Sequence, residues 1–174
     1  MPTTGVVIQS GYTPGAIGRI VEMHGSYYAA AWGFPACFET KVARELAEFV
    51  DRFDDRRDGF WTASIDGRIV GSVVVDALRA ADEGAHLRWF IVADEARGSG
   101  VGRRLLDAGL AFCRGRGYPC VFLWTFEGLH PARHLYEAAG FRLAEEQRGA
   151  RWGAEVTEQR FVALLCQHPL PAPA

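Results

Sequence analysis

Apolar residues recur along this chain with two different periods, and each change of period marks a change of element. "GVVIQS", near residues 5–10, predicts a short strand. The next stretch, "TPGAIGRIVEMHGSYYAAAW", places Ile17, Ile20, Val21, Tyr28, Ala31 and Trp32 on one face of a helix. A second amphipathic helix follows in "CFETKVARELAEFVDRF": Phe38, Val42, Leu46, Phe49, Val50 and Phe53 share a side, and Glu, Lys and Arg take the other.

The period then shortens. "GFWTASIDGRIVGSVVVDA" has β-rich runs on both sides of Asp66-Gly67, a dipeptide that accepts the positive backbone angles of a tight hairpin turn. After a polar connection over residues 81–84, "AHLRWFIVA" predicts a third sheet strand that runs straight into "DEARGSGVGRRLL". Beyond these glycines Val101, Leu105, Leu106, Gly109, Phe112 and Cys113 form a helical face that ends near Gly115 or Gly117. "YPCVFLWTF" is too apolar for a half-exposed strand and predicts a central one, buried on both sides. Pro131 then opens a helix with Ala132, Leu135, Tyr136 and Ala139 on one stripe and Gly140 at its end. Two further strands, "FRLAEEQ" and "VTEQRFVALLC", flank the turn-rich "RGARWGA". No repeat or linker interrupts the pattern, so residues 1–168 are expected to form one mixed α/β domain, with 169–174 a loose tail.

Composition narrows the classes of function. The 174 residues are 49% hydrophobic and 23% charged, ordinary for a globular domain, and the net charge of -2 gives no broad attraction to nucleic acid or an anionic membrane. No run approaches a membrane span, and "MPTTGVVIQSG" lacks a basic segment before a long apolar run, so a cytoplasmic location is expected. Cys37, Cys113, Cys120 and Cys166 show neither C-x-x-C nor zinc-ligand spacing. They read as buried free thiols, and no metal is expected.

The chemistry lies in "ARGSGVGRR". A strand, a glycine-rich turn and a helix bring unpaired backbone N–H groups together at the positive end of a helix dipole, which suits an anion. Side chains there would hold a pyrophosphate away from the backbone, and glycine avoids that. "GSGVGR" lacks the Lys-Ser/Thr of a P-loop, its G-x-G-x-G spacing is not G-x-G-x-x-G, and it follows a hairpin rather than the first strand of a βαβ unit. The glycines alone do not choose the ligand.

Two longer motifs do. "LRWFIVADEARGSGVGRRLLDAGLAFCRGRG" resembles the acyl-coenzyme A motif of the GNAT N-acetyltransferase superfamily, with Arg97-x-x-Gly100-x-Gly102 as its signature. "LYEAAGFRL" resembles that superfamily's second helix-to-strand motif. The likeness spans roughly residues 5–166. More narrowly, "GAIGRIVEMHGSYYAAAWGF", "LWTF" and "ARHLYEAAGFRL" are similar to the acetyltransferase domain of bacterial proteins that fuse a MarR-type winged helix to a GNAT domain. The winged helix is absent from this sequence, which removes the main reason to expect DNA binding.

The resemblance implies a GNAT fold: a mixed, mostly antiparallel sheet of six to seven strands with about four helices, splayed between the strands at 86–92 and 120–126. It implies acetyl-coenzyme A as cosubstrate, a small-molecule amine as acceptor, and direct attack of that amine on the thioester. Gly98, Ser99, Gly100, Val101, Gly102 and Arg103, with Arg97, are the implied pyrophosphate cradle, and Phe90, Ile91 and Val92 the implied pantetheine edge. Tyr136 is the implied general acid, since a phenol of pKa about 10 stays protonated at neutral pH and can donate to a departing thiolate.

His24, one turn before Tyr28 on the apolar stripe, reads either as a buried structural histidine or as a general base, with His86, Glu22, Glu127 and His130 as rival bases and a water chain as a substitute for any of them. Tyr28 and Trp32 are candidate acceptor contacts. Family members usually carry Asn near the segment before the tyrosine helix, whereas "TFEGLHPARHLY" has Phe126 and Leu129 there. Two other readings stand beside this one: a covalent route through cysteine, and a non-catalytic acyl-coenzyme A binding module. A homodimer follows from family analogy alone.

Overall fold

The computed structural model describes residues 5–165, so Cys166 and the expected tail at 169–174 lie outside the described residues. Strand β1 (Val7–Ser10) precedes two helices, α1 (Ala16–Trp32) and α2 (Ala36–Asp51). The hairpin of β2 (Gly59–Ile65) and β3 (Arg68–Asp76) turns at Asp66-Gly67, both with positive φ (50° and 77°). The polar connection is a single helical turn, α3 (Ala80–Glu83), and leads into β4 (Ala85–Val92). A short 3-10 turn and the glycine loop then give way to α4 (Val101–Gly115), followed by β5 (Cys120–Phe126) and α5 (His130–Ala138). Strands β6 (Arg142–Gly149) and β7 (Val156–Leu164) complete the chain.

Seven strands form one sheet in the order β1-β2-β3-β4-β5-β7-β6. Every neighbouring pair is antiparallel except β4 and β5. The helices cover both faces and define two cores. On one face Leu105, Leu106 and Leu110 of α4 pack with Val73, Val75, Leu123 and Phe161, joined by Tyr136 of α5. On the other, Ile20 and Met23 of α1 meet Leu46 and Phe49 of α2 over Phe60, Val74 and Phe126. Burying an aliphatic or aromatic side chain stabilises by about 1.5–3 kcal/mol, so these two stripes account for the order of the layers.

Two irregularities in β4 shape everything that follows. First, β4 and β5 pair only at Ala85↔Val121 and His86↔Phe122, and beyond that rung the strands diverge. Second, β4 carries a bulge: Arg88 faces Val74 and Ile91 faces Ser72, so Trp89 and Phe90 together oppose Val73. Trp89 sits at φ 44°, a conformation that non-glycine residues rarely adopt. The bulge inverts the alternation of the strand. Ala85 and Leu87 pack toward α4, whereas Trp89 and Ile91 pack toward α1 and α2. The sequence, with four consecutive apolar residues from Trp89 to Val92, predicts no such break.

Cys113 is buried at 0% exposure, and burial pushes its thiol up to about 12. Cys120 is partly buried. The expectation that the cysteines are buried fails at Cys37, which is exposed because it lies on the outer side of the first turn of α2.

Candidate active site

Diverging strands leave a cavity of about 810 Å³ that runs through the sheet, open to both helical layers. Its β4 edge follows from strand alternation. The N–H of Ala93 donates to Val70 O at 2.8 Å, so Ala93 and Ile91 turn their backbone groups toward β3. Phe90 and Val92 therefore present theirs to the side that β5 has left. Ile91 reaches the cavity by its side chain instead, on the α1/α2 face.

Ser72 fixes this edge. Its hydroxyl is fully buried and donates to Trp89 O at 2.7 Å, holding the bulge at the strained residue. We expect Ser72→Ala to lower stability by about 1–3 kcal/mol, because the Trp89 carbonyl loses its partner. If the bulge orients the Phe90 and Val92 amides, kcat should also fall about tenfold, a barrier change of about 1.4 kcal/mol. Unfolding curves read the first effect and single-turnover kinetics at saturating acetyl-coenzyme A the second. A loss of stability with unchanged single-turnover rate would leave Ser72 a purely structural role.

The glycine loop closes one mouth of the cavity. Gly98 and Gly100 have φ 75° and 81°, and a Cβ built on either meets nothing within 4 Å. Gly100 is the N-cap of α4 and no side chain caps the helix there. The N–H of Arg104 donates back to Gly100 O, so by helix geometry the amides of Val101, Gly102 and Arg103 have no partner within the helix. Gly102 differs from the other two, since its Cβ position faces Phe90 and Val92 at 3.5 Å and lets α4 lie close to β4. The backbone therefore fits a bound pyrophosphate: uncapped amides, positive φ and open space coincide.

Side chains around the loop divide into two groups. Arg97 lines the cavity, pairs with Asp94 at 2.7 Å, donates to Val92 O at 3.2 Å and stacks over Tyr27 at 4.3 Å. Arg103 lines it too and is largely exposed. Ser99 and Val101 do not. The Ser99 hydroxyl donates to Ala96 O at 2.5 Å, and the Val101 side chain is buried under α4 at 0% exposure, so only their amides are available to a ligand.

Tyr136 and Tyr28 enter from opposite layers. Tyr136 is held among Phe90, Phe141 and Phe161, with ring centroids 5.8, 5.9 and 6.4 Å away. Burial raises its pKa, and the nearby Tyr28 phenol raises it further. Burial likewise raises that of Tyr28. Both phenols are thus protonated throughout the neutral range.

His24 also lines the cavity. Its Nδ1 lies 2.8 Å from Ile20 O, and a carbonyl only accepts, so Nδ1 carries the proton and Nε2 is the acceptor. Burial lowers its pKa to about 4 despite that hydrogen bond. His86 stands at the last paired rung, stacked on Phe122 at 4.4 Å, with its pKa lowered by burial to about 3. Glu22, Glu127 and His130 are not on the cavity wall. Glu22 pairs instead with Arg19 at 2.9 Å.

Trp32 is not on the wall either. It packs edge-on against Phe126 at 4.9 Å, with its ring against Gly128. Phe126 fills the space among Tyr28, Phe34 and Trp152.

One group of residues escaped the sequence reading. The charged face of α2, read there as the solvated side, supplies Lys41, Glu45 and Glu48 to the cavity, Arg52 follows at its C-cap, and Arg88 joins them from β4. Arg88 bonds both Glu45 and Asp76, Arg52 bonds Asp76 at 2.6 Å, and Lys41 bonds Glu45. Among the described residues, no group of three or more His, Cys, Asp or Glu is placed to hold a metal ion, and no helix is long and apolar enough to cross a membrane.

Comparison with known proteins agrees with this geometry. A family model described as the acetyltransferase (GNAT) family matches residues 23–141. N-acetyltransferase 8 of Rattus norvegicus is 30% identical over 141 residues, covering 78% of this chain and 60% of its own length. Mycothiol acetyltransferase of Thermobispora bispora is 35% identical over 106 residues, covering 59% of this chain and 33% of its own. The chain thus spans less than two thirds of the length of these curated relatives. Among solved structures, yncA of Salmonella typhimurium, determined with its cofactor acetyl-CoA, superposes with a TM-score of 0.71 at 16% identity, covering 97% of this chain and 99% of that one. The family match extends over more than half of the sequence and the neighbour shares the whole fold: the chain belongs to the GNAT acetyltransferase family.

Proposed function

We propose that this protein transfers an acetyl group from acetyl-coenzyme A to the primary amine of a small molecule. One observation carries the reading. The β4 edge that β5 leaves unpaired at Phe90 and Val92, the uncapped N-terminus of α4 and the Tyr136 phenol all border one cavity that passes through the sheet. Acetyl-coenzyme A, when bound, supplies an activated thioester. The amides of Gly98 to Arg103 hold its pyrophosphate, and the backbone of Phe90 and Val92 receives its extended arm.

The α1/α2 side of the same cavity then admits the amine. The N–H of Val92 polarises the acyl carbonyl as negative charge gathers on its oxygen. Tyr136, kept protonated by burial, gives its proton to the departing thiolate and regains one from solvent, which receives the proton lost by the amine. His24 takes the role of base through Nε2. A neutral imidazole with a pKa of about 4 does not store a proton at pH 7, so His24 orients the amine and passes its proton onward to water. A cysteine route is disfavoured by Cys113, whose buried thiol resists ionisation and does not line the cavity.

The remaining parts of the reading rest on composition and resemblance: a cytoplasmic location, no nucleic-acid or membrane partner, a homodimer, and a narrower likeness to the acetyltransferase half of MarR-GNAT fusions. Incubation with acetyl-coenzyme A and a panel of amines and amino acids tests the activity. Equal amounts of free coenzyme A thiol and acetylated amine are expected. Tight acetyl-coenzyme A binding without turnover across the panel would instead identify a non-catalytic acyl-coenzyme A module.

A further inference from the structure

Accepting the acetyltransferase reading, on which this inference rests, we propose that Arg151 is a specificity residue that binds a carboxylate on the acceptor, so that the preferred substrate is an amino acid with an apolar side chain. Arg151 lies in the turn between β6 and β7, and its guanidinium stacks over the Trp124 ring at 3.9 Å. Trp124 shares a strand face with Phe126, which belongs to the α1/α2 core. Arg151 therefore stands on the acceptor side of the sheet, across from the glycine loop, and it lines the cavity.

Its position is built rather than incidental. Glu158, 3% exposed on β7, accepts from the Arg151 backbone N–H at 2.8 Å and from its Nε at 3.3 Å, while Gln147 donates to the same carboxylate at 3.2 Å. Ring stacking and the Nε bond fix the plane of the guanidinium. Its two Nη groups have no protein partner among the described residues, which leaves one edge of the fork for a ligand.

Other cations on this side are already engaged. Arg88 is taken up by Glu45 and Asp76, Lys41 by Glu45, and Arg52 by Asp76; the second Nη of Arg52 has no hydrogen-bond partner among the described residues but is buried out of reach of solvent. A carboxylate entering the acceptor half thus meets one ordered, available guanidinium. Beside it, Trp152, Phe126, Tyr28 and Phe38 offer an apolar wall to the rest of the molecule. Glu48, exposed and without an ion partner among the described residues, gives the ammonium form of the same substrate a counter-charge as it enters.

Phenylalanine, phenylalaninamide and 2-phenylethylamine test this, since they share a primary amine and a ring and differ in the carboxylate. Wild-type kcat/KM should favour phenylalanine by about 10–100-fold, the range of a hydrogen bond to a charged group. Arg151→Gln should abolish that preference by lowering the phenylalanine value alone, with acetyl-coenzyme A affinity unchanged, and Arg151→Lys should restore part of it. An equal loss on all three acceptors, or no wild-type preference for the carboxylate, would overturn the proposal while the acetyltransferase reading stands. Should no amine be acetylated, calorimetry with N-acetylphenylalanine and its amide on the coenzyme A-bound protein decides. Binding of the acid that is lost in Arg151→Gln supports the carboxylate site, and its absence in the wild type refutes it.

Discussion

Tyr136→Phe is expected to lower kcat by about 10²–10⁴-fold, the usual contribution of a positioned general acid, while leaving acetyl-coenzyme A affinity nearly unchanged. The substitution removes only the hydroxyl. The ring keeps its neighbours Phe90, Phe141 and Phe161, and among the described residues the phenol has no hydrogen-bond partner to leave stranded. Folding should therefore be close to wild type, and a change in rate reports on chemistry. Single-turnover kinetics isolates the acyl-transfer step from product release. A wild-type single-turnover rate in the variant would remove Tyr136 from the role of acid.

Gly100→Val should weaken acetyl-coenzyme A binding by about 100-fold, or about 2.7 kcal/mol. Two effects combine. Gly100 occupies the left-handed region at φ 81°, where a residue with a Cβ costs about 1–2 kcal/mol and a β-branched one is a true outlier. In addition, the new side chain would extend into space that contains no protein atom within 4 Å, the space assigned to the pyrophosphate. Gly15→Val separates these effects. Gly15 is the N-cap of α1, at φ 88° with equally open surroundings, and it does not line the cavity. Both variants should melt lower, and only Gly100→Val should lose affinity in calorimetric titration. Equal affinity in the two would show that the loop does not hold the cosubstrate.

The strained Trp89 and the buried Ser72 show how such a site is maintained. A non-glycine residue at positive φ persists only where its surroundings determine it, and here a buried hydroxyl does so. The gap between β4 and β5 is stable for a related reason. Unpaired strand edges are costly when buried, whereas these edges open on a cavity that water or a ligand can enter.

What the chain determines by itself is local. Periodicity places both early helices, the Asp66-Gly67 hairpin and the apolar central strand, because each depends on residues within a few positions of one another. The glycine loop and the Tyr136 helix are legible for the same reason: positive φ, helix capping and the spacing of the two motifs leave marks along the sequence.

Tertiary structure decides what faces what. Ala85, Leu87, Trp89 and Ile91 alternate as in a regular strand, and only pairing with β3 reveals the bulge that sends two of them to the opposite core. Lys41, Glu45 and Arg52 look like the wet face of an amphipathic helix until α2 is laid across the mouth of the gap. Arg151 looks like a turn residue until β7 brings Glu158 beneath it and β5 sets Trp124 under its guanidinium. Local sequence encodes backbone preference and the side that seeks burial; the chemistry of a site depends on contacts between residues far apart in the chain, and those exist only once the layers have packed.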